Sequence, residues 1–377
     1  MLLRLQSPRA KGRKQMPLIN SEALADFVAG IFGALGSSRA EAERIGRYLV
    51  NANLTGHDSH GVARVPRYAA WRRDGLLTAD QTAKRVVDTP VIAVLDGQFG
   101  FGQTIAPQAV SLGIEKCRAY GLSAIGLRHS GHVGRVGEWA EMAAEQGLVS
   151  VHFVNVAGSV LVAPFGGIDR RFSTAPVCIG VPRPGGLPVI LDFATSLVAE
   201  GKVLVASQGG KPLPADALVS AEGKASGDPR ELYGAFDPAS GARDHRKGRG
   251  ALRAFGDHKG SGLALMCELL GGALTGNGAS NPETRWSQGM FSFYVDPEKV
   301  DPYNLFPAEL SRFLAYVKST KPIDAKDPVL LPGEPEARRR AERLERGIPL
   351  TDETCEALRA TARSVGIDDR LPAKTAT

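Results

Sequence analysis

The chain has 377 residues, more than the roughly 250–300 at which a single core stops growing, so two packed domains are expected. Hydrophobic residues make up 43% and charged residues 23%, an ordinary globular balance, and no run of about 18 apolar residues is present to span a membrane. The net charge of +6 is concentrated in residues 1–16, where Arg4, Arg9, Lys11, Arg13 and Lys14 stand without an acid; the remainder is nearly neutral, which argues against a broad nucleic-acid face.

Residues 1–16 read as a basic, disordered extension, with Met16 as an alternative start. They lack the apolar core and cleavage site of a secretory signal. Leu24, Phe27, Ile31 and Leu35 then recur at helical spacing and Gly36 stops them. Ser38 and Glu41 predict a capping box for a second helix that carries Ile45, Leu49 and Ala52 and ends near Leu54. HDSHG, 57–61, interrupts the helical pattern, which resumes in VPRYAAWRRDG.

From residue 93 strands and helices alternate. AVLDG, LSAIGLRHS (122–130), LVSVHFVNVAG (148–158), PVILD (188–192) and GMFSFYVDP (289–297) read as strands. GFGQTIAPQAVSLGIEKCRAYG, GRVGEWAEMAAEQG and GSGLALMCELLGGAL (260–274) read as helices, and residues 211–253 as a long loop. The tail returns to helices. The expected fold is α/β: a central domain, 91–304, with a mixed β-sheet, and a largely helical domain built from both termini, 17–90 and 305–377. Cys117, Cys178, Cys267 and Cys355 are far apart, which predicts no disulfide frame and a reducing compartment.

Two HxxH pairs, His57/His60 and His129/His132, invite a metal reading. Zinc needs three or four convergent ligands, and no HExxH or CxxC supports one. GFGQTI, 100–105, resembles a dinucleotide fingerprint, but Ile105 stands at the third glycine. APFGGIDRR, 163–171, and the helix start GDHKGSG, with Lys259, offer backbone amides and cations to an anion. His60 and Arg64 are four apart, so a helix starting here would place a proton-exchanging group beside a carboxylate clamp. A turn histidine that only bonds backbone, and a solvated surface arginine, are open readings at this point. Asp192, at a strand end before FATS, suits either a ligand contact or a helix cap.

The strings NLTGHDSHGVARVPRY, LDGQFGFGQ, RHSGHVGRVGEWA, VAPFGG, LDFATS, FGDHKGSGLALMCELLGG and LPGEPE resemble the malate/L-lactate dehydrogenase family, from about residue 20 onward. TGHDSHG, VHFV and MCELLGGAL are most similar to its hydroxycarboxylate dehydrogenase branch. The resemblance implies a non-Rossmann nicotinamide-binding domain, NAD or NADP as cofactor, a small 2-oxo or 2-hydroxy acid substrate, a homodimer and a cytoplasmic setting, without nucleic acid, membrane or metal. It implies His60 as proton donor with Ser59 beside it, Arg64 as carboxylate clamp and His132 at the substrate. It also implies cofactor contacts from Gly134, Arg135, Val136, Asn155, Gly166, Gly167, Ile168, Asp169, Arg170, Asp192 and Lys259. STAP, with Ala175, and NVAG depart from asparagine-bearing segments of many members, and Asn155 is expected to keep part of that role. Reduction of a cyclic imino acid is the alternative within the family, and a non-catalytic NAD(P)-binding protein the alternative outside it.

Overall fold

The computed structural model describes residues 16–207, 211–235 and 245–372; residues 1–15 of the basic extension lie outside it. Its centre is a seven-stranded sheet of β1 (Lys84–Asp88), β2 (Ile92–Asp96), β3 (Leu122–Ser130), β4 (Val149–Ala157), β5 (Pro176–Val181), β6 (Val189–Ala194) and β7 (Ser287–Val295). The spatial order is β1-β2-β3-β7-β4-β5-β6. Only β2 and β3 run parallel, so the sheet is mixed, as the sequence predicts. The unpredicted β1, KRVVD, is an exposed edge carrying Lys84, Arg85 and Asp88, charges that discourage edge-to-edge pairing.

The first helices are α1 (Ser21–Ala34), α2 (Arg39–Leu54), α3 (Val65–Arg73), α4 (Gly102–Tyr120) and α5 (Gly137–Glu145). Alternate residues of β3 serve opposite faces. Ile125 and Leu127 join the α4 and α5 side with Ile105, Ala109, Trp139 and Ala143. Gly126 faces the other side, where a Cβ would lie 3.4 Å from Thr275. Beyond these come α6 (Glu200–Ser207), α7 (His258–Cys267), α8 (Phe306–Lys318), α9 (Glu334–Arg346) and α10 (Asp352–Ser364). The helix predicted over 260–274 is α-helical only to Cys267 and continues as a π-helix through Glu268–Leu274. Its backbone lies directly on β4: a Cβ on Gly271 would meet the Phe153 carbonyl at 2.8 Å.

Both termini build one helical core. Leu18–Ile19 pairs with Ile348–Pro349, and Leu24, Ile31, Ile45 and Leu49 pack with Leu350, Leu358 and Ala362. Val28 and Phe32, not Phe27, complete the buried stripe of α1. The capping box forms only by half. Ser38 Oγ accepts from the Glu41 N–H at 3.3 Å, but the Glu41 carboxylate turns to the Asp80 N–H at 2.8 Å. Asp80 in return accepts from the Ser38 N–H at 2.8 Å.

The predicted loop 211–253 is corrected. Leu218–Val219, Ala225–Ser226 and Ala251–Leu252 form a small sheet. With Val162, Val203, Leu232 and Tyr233 they enclose their own apolar core. The segment's glycines, prolines and charges mask these few buried apolar positions. Among the described residues no helix is long and apolar enough to cross a membrane, and all four cysteines are buried and unpaired.

Candidate active site

HDSHG follows the end of α2 and, with the VAR after it, forms two short 3-10 turns, Asp58–His60 and Val62–Arg64, hinged at Gly61 and leading into α3. Asp58 shapes it. One carboxylate oxygen accepts from Asn53 Nδ2 at 2.7 Å and from Arg343 at 2.7 Å, and the other accepts from Arg343 at 3.0 Å. Such a bidentate Arg–carboxylate fork fixes orientation as well as position. Asn53 Oδ1 accepts from the Val62 N–H at 2.8 Å. A Cβ on Gly61 would lie 2.1 Å from that oxygen, so the hinge demands glycine. His57 Nε2 is 3.5 Å from Glu336 of α9. Helix α9, from the C-terminal part of the chain, therefore holds the turn that presents Ser59 and His60.

His60 stacks on His132, with ring centroids 5.2 Å apart and planes 10° apart. The HSGH pair is thereby split, because His129 Nδ1 turns to Asp96 at 3.0 Å and its ring stacks on Phe99. Among the described residues, no three His, Cys, Asp or Glu side chains are grouped to hold a metal. The His132 segment sits low because GFGQ does: a Cβ on Gly102 would meet the His132 carbonyl at 2.1 Å. These glycines serve backbone packing, which explains a fingerprint that lacks its third glycine.

His132 Nδ1 lies 2.5 Å from the Tyr68 hydroxyl, which accepts from Gln103 Nε2 at 3.2 Å. Burial pushes the Tyr68 phenol up to about 12, so it stays neutral with a proton to offer Nδ1. A neutral His132 ring that accepts this hydrogen bond carries its own hydrogen on Nε2. His60 Nδ1 is buried without a partner, an uncommon and costly state. Burial, then the positive charge of Arg64 and the neighbouring His57 and Arg135, lowers His60 to about 3. Burial and Arg64 likewise hold His132 well below its ordinary value. Arg64 Nε donates to the Ser59 carbonyl at 2.5 Å, which leaves the terminal guanidinium nitrogens for a ligand.

Ser59, His60, Arg64 and His132 line one cavity of about 1030 Å³ together with Gly134, Val136 and Asp192. Its size is near the upper end of the usual range for small-molecule sites, about 300–1,000 Å³. Asp192 also accepts from the Gly137 N–H at 2.7 Å, so it caps α5 from the neighbouring strand while facing the cavity. Burial raises its carboxyl.

The other expected cofactor residues do not line this cavity. Arg135 turns inward to grip Glu141 at 3.0 and 2.6 Å. Asn155 is consumed: its amide donates to Glu268 at 3.1 Å and to the Gly278 carbonyl at 2.8 Å, and its oxygen accepts from Asn277 and from the Gly289 N–H. Arg170 donates to the carbonyls of His245, Gly250 and Gly248 at 2.6, 2.7 and 2.8 Å, clamping the small lobe. Gly166, Gly167, Ile168 and Asp169 follow one another on an exposed loop, and Lys259 is exposed at the start of α7.

Sequence reasoning missed Arg67, Trp71, Glu200, Trp286, Glu336 and Arg339, all of which line the cavity. Arg67 and Trp71 continue the face of Arg64 at helical spacing, a signal available in the sequence. Glu336 closes LPGEPE and Arg339 follows it by three residues, a string whose residues carried no assigned role.

Residues 19–359 match the family model described as malate/L-lactate dehydrogenase. Hydroxycarboxylate dehydrogenase B of Escherichia coli O157:H7 is 38% identical over 356 residues, 93% of this chain and 95% of that one. The structure of malate dehydrogenase from Pyrococcus horikoshii OT3 is similar with a TM-score of 0.82 at 26% identity, covering 96% of this chain and 99% of that one. That of delta1-piperideine-2-carboxylate reductase from Pseudomonas syringae pvar. tomato gives 0.75 at 30% identity, covering 92% and 99%.

Proposed function

The chain belongs to the malate/L-lactate dehydrogenase family of NAD(P)-dependent oxidoreductases, and from that premise we propose that it reduces small 2-oxo acids, and oxidises the matching 2-hydroxy acids, with NADH or NADPH. The observation that carries this reading is the convergence of His60, His132 and Arg64 on one cavity wall, with His60 Nδ1 unpartnered. The cavity also suits the cofactor. Gly134, at φ +78°, Val136 and Asp192 line it, as do Glu336 and Arg339 of α9.

The chain's residues divide the work. The free fork of Arg64 pairs with the substrate carboxylate and sets its orientation. His132, held in one tautomer by Tyr68, donates its Nε2 hydrogen to the carbonyl oxygen and favours the charge that develops there. His60 gives its proton to the forming alkoxide. Its low proton affinity matches the reverse direction directly, because a neutral imidazole accepts the hydroxyl proton. In the reductive direction, the substrate carboxylate offsets the Arg64 charge and raises the proton affinity of His60. When bound, the nicotinamide cofactor supplies the hydride for C2. A cytoplasmic homodimer completes the reading, and the exposed Leu265, Met266, Leu269 and Leu274 along α7 and its π-helical continuation support such a pairing face.

Cyclic imino acid reduction is the second reading, favoured by the similarity to the Pseudomonas syringae reductase. A panel of hydroxypyruvate, phenylpyruvate, pyruvate, oxaloacetate and pyrroline-2-carboxylate, each with NADH and with NADPH, separates the two. Cofactor oxidation with the open-chain oxo acids is expected. Oxidation with the imino acid alone rejects the proposal, and a protein that binds neither cofactor in a fluorescence titration is a non-catalytic relative.

A further inference from the structure

Helix α6 meets the cavity from the small lobe. Its second residue is Gly201, where a Cβ would stand 3.0 Å from Ser59 Cβ, so the helix start rests on the SHG turn. The residue before it, Glu200, lines the same cavity as His60 and Arg64. Its Oε1 accepts from the Tyr233 hydroxyl at 2.6 Å, and Tyr233 is itself buried in the lobe's core. Burial alone would raise the Glu200 carboxyl. Arg64, the Tyr233 hydrogen bond and Arg67 outweigh it and hold the group below the ordinary carboxylate range. Glu200 is therefore a half-buried, ionised carboxylate that interacts across the cavity with the proposed clamp.

This position matters for a 2-oxo acid. With C1 on Arg64 and the C2 oxygen at the two histidines, the substituent on C3 is left to meet the remaining cavity lining, to which Glu200 of the small lobe contributes. We infer that Glu200 selects the substituent on C3, accepting a hydrogen bond from a C3 hydroxyl, as in hydroxypyruvate, and repelling a second carboxylate, as in oxaloacetate. The inference rests on the 2-oxo acid reading. A like charge brought into a partly desolvated site is strongly unfavourable, whereas a hydroxyl completes the polar site. Lys202 and Arg246 also line the cavity. If they ruled the choice, a dicarboxylate would be preferred.

The test measures kcat/KM for hydroxypyruvate, oxaloacetate and pyruvate in wild type, Glu200→Gln and Tyr233→Phe. Wild type is expected to prefer hydroxypyruvate to oxaloacetate. In Glu200→Gln that ratio should fall by about tenfold or more, mainly through a lower KM for oxaloacetate. Tyr233→Phe, which keeps the carboxylate but frees its orientation, should weaken hydroxypyruvate selectively while oxaloacetate stays excluded. An unchanged ratio in Glu200→Gln, an equal loss for all three substrates in both variants, or a wild type that prefers oxaloacetate overturns the inference. A wild type active on phenylpyruvate but on none of these three also overturns it while leaving the 2-oxo acid reading intact. Inactivity on every oxo acid removes both.

Discussion

His60→Ala is expected to lower turnover by about 10²–10⁴-fold, the usual contribution of a positioned acid–base group, while reduced cofactor binds nearly as in wild type. The side chain lines the substrate end of the cavity and its Nδ1 bonds nothing, so its removal deletes chemistry and breaks no hydrogen bond of the fold. The pH dependence sharpens the expectation. Burial and Arg64 lower His60 to about 3 in the free protein, so over the neutral range its protonated fraction declines about tenfold per pH unit. Since kcat/KM reports the free enzyme, the reductive kcat/KM should fall as pH rises from 6 to 8. The oxidative kcat/KM, which needs the neutral ring, should stay level as far as His60 governs it. In His60→Ala the reductive decline should vanish. Steady-state rates in both directions, with fluorescence titration of NAD(P)H, check all three points; wild-type turnover in the variant would remove His60 from the mechanism.

Arg64→Ala carries the second large effect. Deleting one partner of a charge pair in a desolvated site costs about 2–5 kcal/mol. That corresponds to a loss of roughly thirty- to several-thousand-fold in kcat/KM, appearing mainly in KM. Arg64 has a second part to play. Its Nε holds the Ser59 carbonyl, and its charge lowers both His60 and His132. Arg64→Ala should therefore also shift the reductive pH profile toward higher pH, a change that loss of a substrate contact alone would not produce. Arg64→Lys keeps the charge but not the fork, so it should restore the pH profile more fully than KM. An Arg64→Ala enzyme with an unaltered KM for every oxo acid would dismiss the clamp.

The helical ends of the chain were legible because their apolar residues recur every three or four positions, and β3, β4 and β7 because their apolar runs have strand length. HDSHG was legible as a place where a helix stops. Its meaning was not, since the partners that shape it, Asn53 and Arg343, lie 5 and 285 residues from Asp58. Arg170 and Asn155 show the converse. Both have the chemistry of ligand-binding groups, but they bond carbonyls, side chains and a backbone N–H brought in from 62 to 134 residues away. Residue type announces that a polar group needs partners; only the fold decides whether a ligand supplies them. Glu200 was hidden for the same reason, standing in an unremarked stretch until the small lobe folds it against the Ser59 turn.

Transfer of label shows whether hydride reaches C2 of the substrate. NAD(P)H deuterated at C4 on one face or the other is incubated with the best oxo acid of the panel, and the product is analysed by mass spectrometry and NMR. A 2-hydroxy acid bearing one deuterium at C2 is expected from one of the two labelled faces, and none from the other. Product free of deuterium from both faces would contradict hydride transfer to C2.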